Sequence, residues 1–186
     1  SAMLLADYYR QRFGTNTMMR SATLKALMIH TADDLRNTGP DYATGWGLVN
    51  TRRAADVIKS YADNPGNRRM VEETLNEGGD VVKPYQVPGT STVRVTLVWN
   101  DPPGFYSSSE NQRKPDLIHD LNVEVIGPNG TTYLPYVMPY VKTNVGSGTW
   151  DTSESLIETP ATTGTNHRDN VEQVVIPNPP VSGVYT

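Results

Sequence analysis

The 186-residue chain contains no cysteine. Disulfides, thiolate nucleophiles and cysteine-bound metals are excluded together, while the cellular compartment stays open. No run of about 18 apolar residues is present, so nothing reads as a membrane-spanning helix. Positive charge is scarce: 16 Lys and Arg stand against 20 Asp and Glu, a formal charge of −4. That balance argues against a nucleic-acid or anionic-membrane partner. Only three histidines occur, which limits the imidazoles available as general bases. No charged stretch followed by an apolar one opens the chain; in a piece of a longer protein that says nothing about secretion. His-Glu-x-x-His, EF-hand and Gly-x-Ser-x-Gly spacings are absent as well.

What is present begins with a helical half. Residues 2 to 13 read as a helix, with Leu4, Leu5, Tyr8 and Tyr9 as its apolar cluster and Gly14 as its stop. Leu24, Leu27, Met28 and Thr31 share one face of a second helix, for which Ser21 is the expected cap. A polar loop, Asp33 to Tyr42, leads into Gly45-Trp46-Gly47-Leu48-Val49-Asn50. The two glycines allow a tight turn while the indole is expected to pack inward. Asn50 then caps a third helix with Ala54, Val57, Ile58 and Tyr61 on one face. Taken alone, this is a packed helix–loop–helix corner without chemistry in it.

Asn64-Pro65-Gly66-Asn67 is a turn cluster, and it sets the expected boundary between two domains, 1–65 and 66–186. Beyond it the pattern becomes strands. Val93, Val95, Leu97 and Trp99 alternate with Arg94, Thr96 and Val98, the period of a half-buried strand. Leu121, Val123 and Val125 begin another, and Pro128-Asn129-Gly130 predicts a hairpin turn into Thr131-Thr132-Tyr133. Val171 to Ile176 is a further strand, and Ser182-Gly183-Val184-Tyr185-Thr186 enters one more. Residues 105–116 and 142–168 read as loops.

The run Leu24-Lys25-Ala26-Leu27-Met28-Ile29-His30-Thr31-Ala32, the Gly-Pro-Asp-Tyr loop, Gly-Trp-Gly-Leu-Val-Asn and the pair Ala54-Ala55 resemble the C-terminal end of a subtilisin-like serine peptidase domain. The match covers about forty residues in the right order. Val95-Thr96-Leu97-Val98-Trp99-Asn100-Asp101-Pro102, Asp120-Leu121-Asn122-Val123, Gly127 to Thr131, Asn170-Val171-Glu172 and residues 182–186 are similar to the jelly-roll β-domain that follows the catalytic domain in some secreted subtilases. They are similar, more distantly, to the P-domain of kexin-type convertases. The resemblance implies an α+β composite: terminal helices of an α/β catalytic domain, then an antiparallel, jelly-roll-like β-sandwich that continues past Thr186. It also implies an extracellular protein whose partners are the upstream catalytic segment and, through it, polypeptide substrates. Leu24, Leu27, Leu48 and Ile58 are expected to be bare unless an upstream parallel sheet covers them.

In subtilisin, itself a worked example of convergent triads, the catalytic residues run Asp, His, Ser along the chain. A segment downstream of the serine lacks all three, and the sequence has no Gly-Thr-Ser-Met-Ala, His-Gly-Thr, Asp-Ser-Gly or Asp-Thr-Gly. No residue of this chain is therefore expected to be catalytic. His30 ends a helix, His119 precedes Asp120, and His167 sits in a loop.

Two readings stand for Asn166-His167-Arg168-Asp169-Asn170-Val171-Glu172: a solvated turn, or a calcium site gathering oxygen donors. The resemblance implies structural calcium in this neighbourhood and near Asp120-Leu121-Asn122; Asn166, Asp169 and Asn170 are the expected ligands. Asp101, Asp116 and Asp120 form a second candidate cluster. Asn129-Gly130-Thr131 fits a glycosylation acceptor, though hairpin chemistry accounts for it equally. Tyr133, Tyr136, Tyr140 and Trp150 either fill the space under a long loop or stack on sugar rings. Two functions compete with the peptidase reading: a non-catalytic β-sandwich module binding carbohydrate or protein, and self-association through an unpaired sheet edge.

Overall fold

The computed structural model describes residues 1–105, 115–139, 155 and 158–186, and the backbone at 141–142 and 150–151. The expected loop over 105–116 falls largely outside the described residues; of that over 142–168, residues 142, 150–151, 155 and 158–168 are described and include short strands at Trp150–Asp151 and Thr162–Thr163, so that stretch is not loop throughout. What is described is a mixed α and β chain, with three helices followed by short antiparallel ladders.

Helix α1 spans Ala2–Phe13 and stops at Gly14, whose positive φ of 110° suits glycine. Helix α3, Thr51–Asp63, starts as the sequence predicts: the Asn50 side chain accepts the Arg53 N–H at 2.9 Å. Helix α2, Ser21–Thr31, does not start as expected. Arg20 holds the cap position, Ser21 is already helical, and its hydroxyl instead accepts from the Asn100 amide at 3.0 Å.

The helices pack on one another around Leu5, Tyr9, Leu27, Ala54 and Ile58. Tyr9 and Phe13 bring their rings to 4.4 Å, and Phe13 meets Tyr61 at 5.6 Å. This corrects the expected exposure: Leu27 and Ile58 are 4% and 0% accessible because α1 covers them, while Leu48 remains 62% exposed. Leu4 lies outside the cluster and is exposed, since only Leu5, Tyr8 and Tyr9 fall on the covered stripe.

Between α2 and α3 the loop is held by its own backbone. Asp33 and Leu48 exchange N–H···O bonds of 2.8 and 2.9 Å, and Asp41 and Gly45 do the same at 3.0 and 2.8 Å. The buried Asp41 carboxylate collects the N–H groups of Ala43 (2.9 Å) and Thr44 (2.6 Å) and the Thr44 hydroxyl. These bonds, the Thr44 N–H foremost, hold its pKa below the ordinary carboxylate range despite burial. Gly47, at φ +96°, passes so close to Asp33 that a Cβ would land on the Asp33 carbonyl. The indole between the glycines does not enter the core as expected; Trp46 is half-buried against the outer side of α2.

In the second half, β2 (Val93–Val98) and β9 (Val171–Ile176) form a six-residue antiparallel ladder, Val93 opposite Ile176 and Val98 opposite Val171. Trp99 and Asn170 extend it by a backbone bond of 3.3 Å. Strand β1 (Tyr85–Val87) pairs with β10 (Gly183–Tyr185), and Thr186 exchanges backbone bonds with Ile126. Ile126 belongs to the hairpin β3 (Val125–Ile126) and β4 (Thr132–Tyr133). Its turn is the expected one: Gly130, at φ +78°, donates to Gly127, which donates to Thr131. Leu121 and Val123 stay outside the ladder. The short pairs β5 (Tyr136–Val137) with β8 (Thr162–Thr163), and β6 (Val141–Lys142) with β7 (Trp150–Asp151), complete the described strands. Val87, Val125, Val174, Ile176 and Tyr185 form the apolar centre of this half.

The predicted face of β2 that carries Arg94 and Thr96 meets α2, not solvent. Arg94 donates to the His30 carbonyl at 2.8 Å, and the Thr96 hydroxyl lies 3.0 Å from His30 Nδ1. The 33–44 loop reaches the same half through the Tyr42 hydroxyl on the Pro139 carbonyl (2.9 Å), Asn37 on the Glu158 carbonyl (3.2 Å) and an Arg36–Glu158 ion pair (3.1 Å). Segments 1–65 and 66–186 thus share a polar and apolar interface.

Gly47→Ala is expected to cost about 2–4 kcal/mol, combining backbone strain with the collision at Asp33. Gly45→Ala, which meets nothing within 4 Å, should cost only about 1 kcal/mol for its left-handed backbone. Urea unfolding of the two variants measures the difference; equal costs would refute the close approach.

Candidate functional site

The three histidines do not build a nucleophile. His30 is half-buried at the end of α2 and accepts from the Thr96 hydroxyl, which in turn accepts from the Gln173 amide at 2.9 Å. Desolvation, reinforced by Arg94, Arg53 and Arg69, pushes its pKa down to about 4, so it is neutral at physiological pH. His119 Nδ1 lies 3.1 Å from the Asp101 carboxylate, and His167 Nδ1 lies 2.6 Å from that of Asp120. Both imidazoles are mostly exposed. Among the described residues, the three rings meet Thr96, Asp101 and Asp120, not a serine hydroxyl.

The polar feature that stands out is Glu172, in the second position of β9. Its side chain is 0% accessible. One carboxylate oxygen accepts the Val123 N–H at 2.6 Å; the other, Oε1, has no hydrogen-bond partner. Burial pushes this acid up to about 7, opposed by the Val123 N–H, raised further by Asp120 and Asp169 and lowered by His167. The sequence contains the signal, a lone acid in Val-Glu-Gln-Val-Val-Ile, yet nothing local says that it faces inward.

Two elements bring the surrounding groups together. The 166–169 turn is closed by Asn166, itself 3% exposed, whose amide oxygen accepts from the Arg168 N–H (3.0 Å) and whose amide nitrogen donates to Asp169 (3.2 Å). Segment 118–123 is anchored by the Trp99 indole N–H on the His119 carbonyl (3.0 Å) and by Asp101. Burial raises Asp101, but the N–H groups of Ile118 (2.7 Å) and His119 (2.8 Å), with the His119 ring, outweigh it and leave it below its ordinary value.

Of the expected calcium ligands, Asn166 and Asp169 therefore meet, while Asn170 faces the other way. Its amide nitrogen bonds the Trp99 carbonyl at 2.8 Å and its oxygen accepts from the Lys25 ammonium at 2.9 Å. An oxygen already carrying an ammonium is a poor cation ligand. The second expected cluster is divided too: Asp101 is committed to residues 118–119 and Asp120 to His167. Among the described residues no three His, Cys, Asp or Glu side chains already converge in the geometry of a bound ion.

The aromatic residues expected under the long loop are parted. Tyr133 packs on the core around Val174. The Tyr136 ring lies so close to Gly39 that a Cβ there would stand 2.9 Å from it. Tyr140 and the Trp150 side chain lie outside the described residues.

A second surface feature runs along α2. Ser21, Leu24, Lys25, Met28, Ile29 and Ala32 make one wall of an open groove of about 350 Å³, and Trp46, Gly47 and Val49 make the other. Leu48 and Val49 beside it are exposed. Among the described residues no helix is long and apolar enough to cross a membrane.

No family model matches the chain, and no curated protein matches its sequence.

The two buried titrating groups give opposite pH slopes. Glu172, raised from 4.5 to about 7, contributes stability that is whole below about pH 4.5 and is lost as pH rises through about 7. His30, lowered from 6.5 to about 4, contributes stability that is whole above about pH 6.5 and is lost as pH falls through about 4. Glu172→Gln should therefore gain stability relative to the parent progressively as pH rises from 5 to 8. Denaturant midpoints across that range measure it; a difference independent of pH would contradict the assignment.

Proposed function

We propose that this chain is the C-terminal part of a secreted subtilisin-like serine endopeptidase, acting as structural support for a catalytic segment that precedes it. In that reading residues 1–65 are the last helices of an α/β catalytic domain. Residues 66–186 belong to a jelly-roll-like β-sandwich docked behind it. The observation that carries the proposal is the groove on α2. A helix that leaves apolar residues uncovered beyond its packed face calls for a further partner, and α2 keeps Leu24, Met28 and Ile29, with Lys25 among them, on an open wall facing Trp46 and Val49.

A catalytic sheet lying upstream is the cover such a domain would provide. The reaction would belong to the preceding segment, where a serine attacks the peptide carbonyl, histidine takes its proton and aspartate orients the ring. The role of this chain would be to brace that segment through α2 and to tie it to the β half through β2 and the 33–44 loop.

The test is to join the chain to its upstream coding sequence and assay peptide hydrolysis with and without a serine-directed inhibitor. Inhibitor-sensitive hydrolysis is expected. Met28→Lys on the groove wall should reduce it by about tenfold or more, since a charge buried at a packed face costs several kcal/mol. In the chain alone, where Met28 is only partly buried against the helical cluster, Met28→Lys should lower the thermal midpoint modestly, without loss of the fold. A well-folded longer protein without hydrolysis would overturn the proposal.

A further inference from the structure

The connector from α3 to β1 carries no helix or strand over residues 71–84, and residues 71–82 are exposed without a break. Two ties hold its base. Glu72 pairs with Arg20, just before α2, at 3.0 Å, and Glu73 pairs with Lys83. The Glu73–Lys83 pair draws the two ends together, so residues 74–82 project as a loop. Among the described residues, the backbone of that loop makes one bond, from the Gly79 N–H to the Asn76 carbonyl at 3.0 Å. Its apolar side chains, Leu75, Val81 and Val82, are exposed and belong to neither apolar cluster. A segment with so few ties opens at little cost, and exposed loop tips of this kind are where endopeptidases cut folded chains.

We propose that the Glu77–Gly78 bond is a cleavage site for a glutamate-specific endopeptidase, and that the cut leaves a two-chain protein whose halves stay joined. Glu77 is exposed within the 76–79 turn. Gly78 and Gly79 follow it, so no side chain blocks a protease cleft, and Gly78, now at φ +72°, can swing to the extended form a cleft requires. Other glutamates are less available. Glu72, Glu73 and Glu158 are ion-paired, and Glu172 is buried. Glu124 runs directly into β3, beside a Val123 N–H that Glu172 holds. The step is hydrolysis: the Glu77 carbonyl carbon takes the hydroxyl of water, the Gly78 nitrogen takes its proton, and the new carboxyl proton passes to the new amine. The halves remain bound because they meet elsewhere, at His30 with Thr96 and Arg94, at Lys25 with Asn170, and at Tyr42 with Pro139. The Glu73–Lys83 pair also spans the cut. Neither the loop nor the interface depends on the peptidase reading.

The experiment is timed digestion of the folded 186-residue chain with a glutamyl endopeptidase, read by mass spectrometry and then by size-exclusion chromatography without denaturant. Fragment 1–77 should form about tenfold or more faster than fragments ending at Glu124 or Glu158, whose backbone must open first. It should co-elute with the rest of the chain, and in denaturant both the preference and the co-elution should vanish. Glu77→Gln should slow the cut about a hundredfold or more, because a site built around a carboxylate rejects a side chain without the charge. The thermal midpoint of that variant should match the parent's. A Glu77–Gly78 bond that resists the folded-state digest, cuts after Glu124 or Glu158 that are equally fast, or a fragment 1–77 that separates in native buffer would overturn the proposal.

Discussion

The structure depends on α2 being covered on more than one side. One face of the helix, around Leu27 and Thr31, closes the helical cluster against α1 and α3. A second lies on β2, and a third forms the wall of the groove opposite Trp46. Because a surface helix normally buries a single apolar face, a helix that packs on α1, α3 and β2 at once acts as a hub, and those elements are placed by the side they cover. The loop that follows must then leave α2 sharply, which is why Gly47 runs against the Asp33 carbonyl and why Asp41 spends its carboxylate on the loop's own N–H groups.

Where α2 meets β2 the contact is partly polar and is satisfied in a chain: Gln173 to Thr96, Thr96 to His30, with Arg94 on the His30 carbonyl. Such a chain is satisfied only in one arrangement of helix and ladder. A slide of either element would strand several buried polar groups, each costing about 1–3 kcal/mol. Apolar contact alone would tolerate that slide. The network therefore fixes the angle and register at which the two halves meet, and it explains why the imidazole stays neutral.

What was legible in the sequence follows local chemistry. Gly14, Asn50 and the Pro128-Asn129-Gly130 turn act through their own neighbours, and each does what its residue type dictates. The ladder of β2 with β9 was legible as two strands, because β-branched residues recur in both. What was not legible depends on distant partners. Leu27 and Ile58 are buried by α1, a helix whose arrival no periodicity announces. Ser21 gives up capping because Asn100, far along the chain, offers its hydroxyl another bond. Asn170 looks like a ligand until Lys25 reaches it from 145 positions away. Glu172 was hidden for the same reason: only the fold shows that its side of β9 is the inner one.

The placement of that acid has a consequence for assembly of the β half. In an antiparallel ladder, sliding one strand by a single position moves every side chain to the opposite face. A strand made of valine and isoleucine alone would lose little by such an error, since both faces of β9 are covered. With Glu172 present, a one-position slip of β9 against β2 would carry the carboxylate from the face of Val174 and Ile176, where the Val123 N–H meets it, to the opposite face, away from that donor. The acid thus serves as a keyed notch, making one alignment of two otherwise interchangeable strands far cheaper than the next.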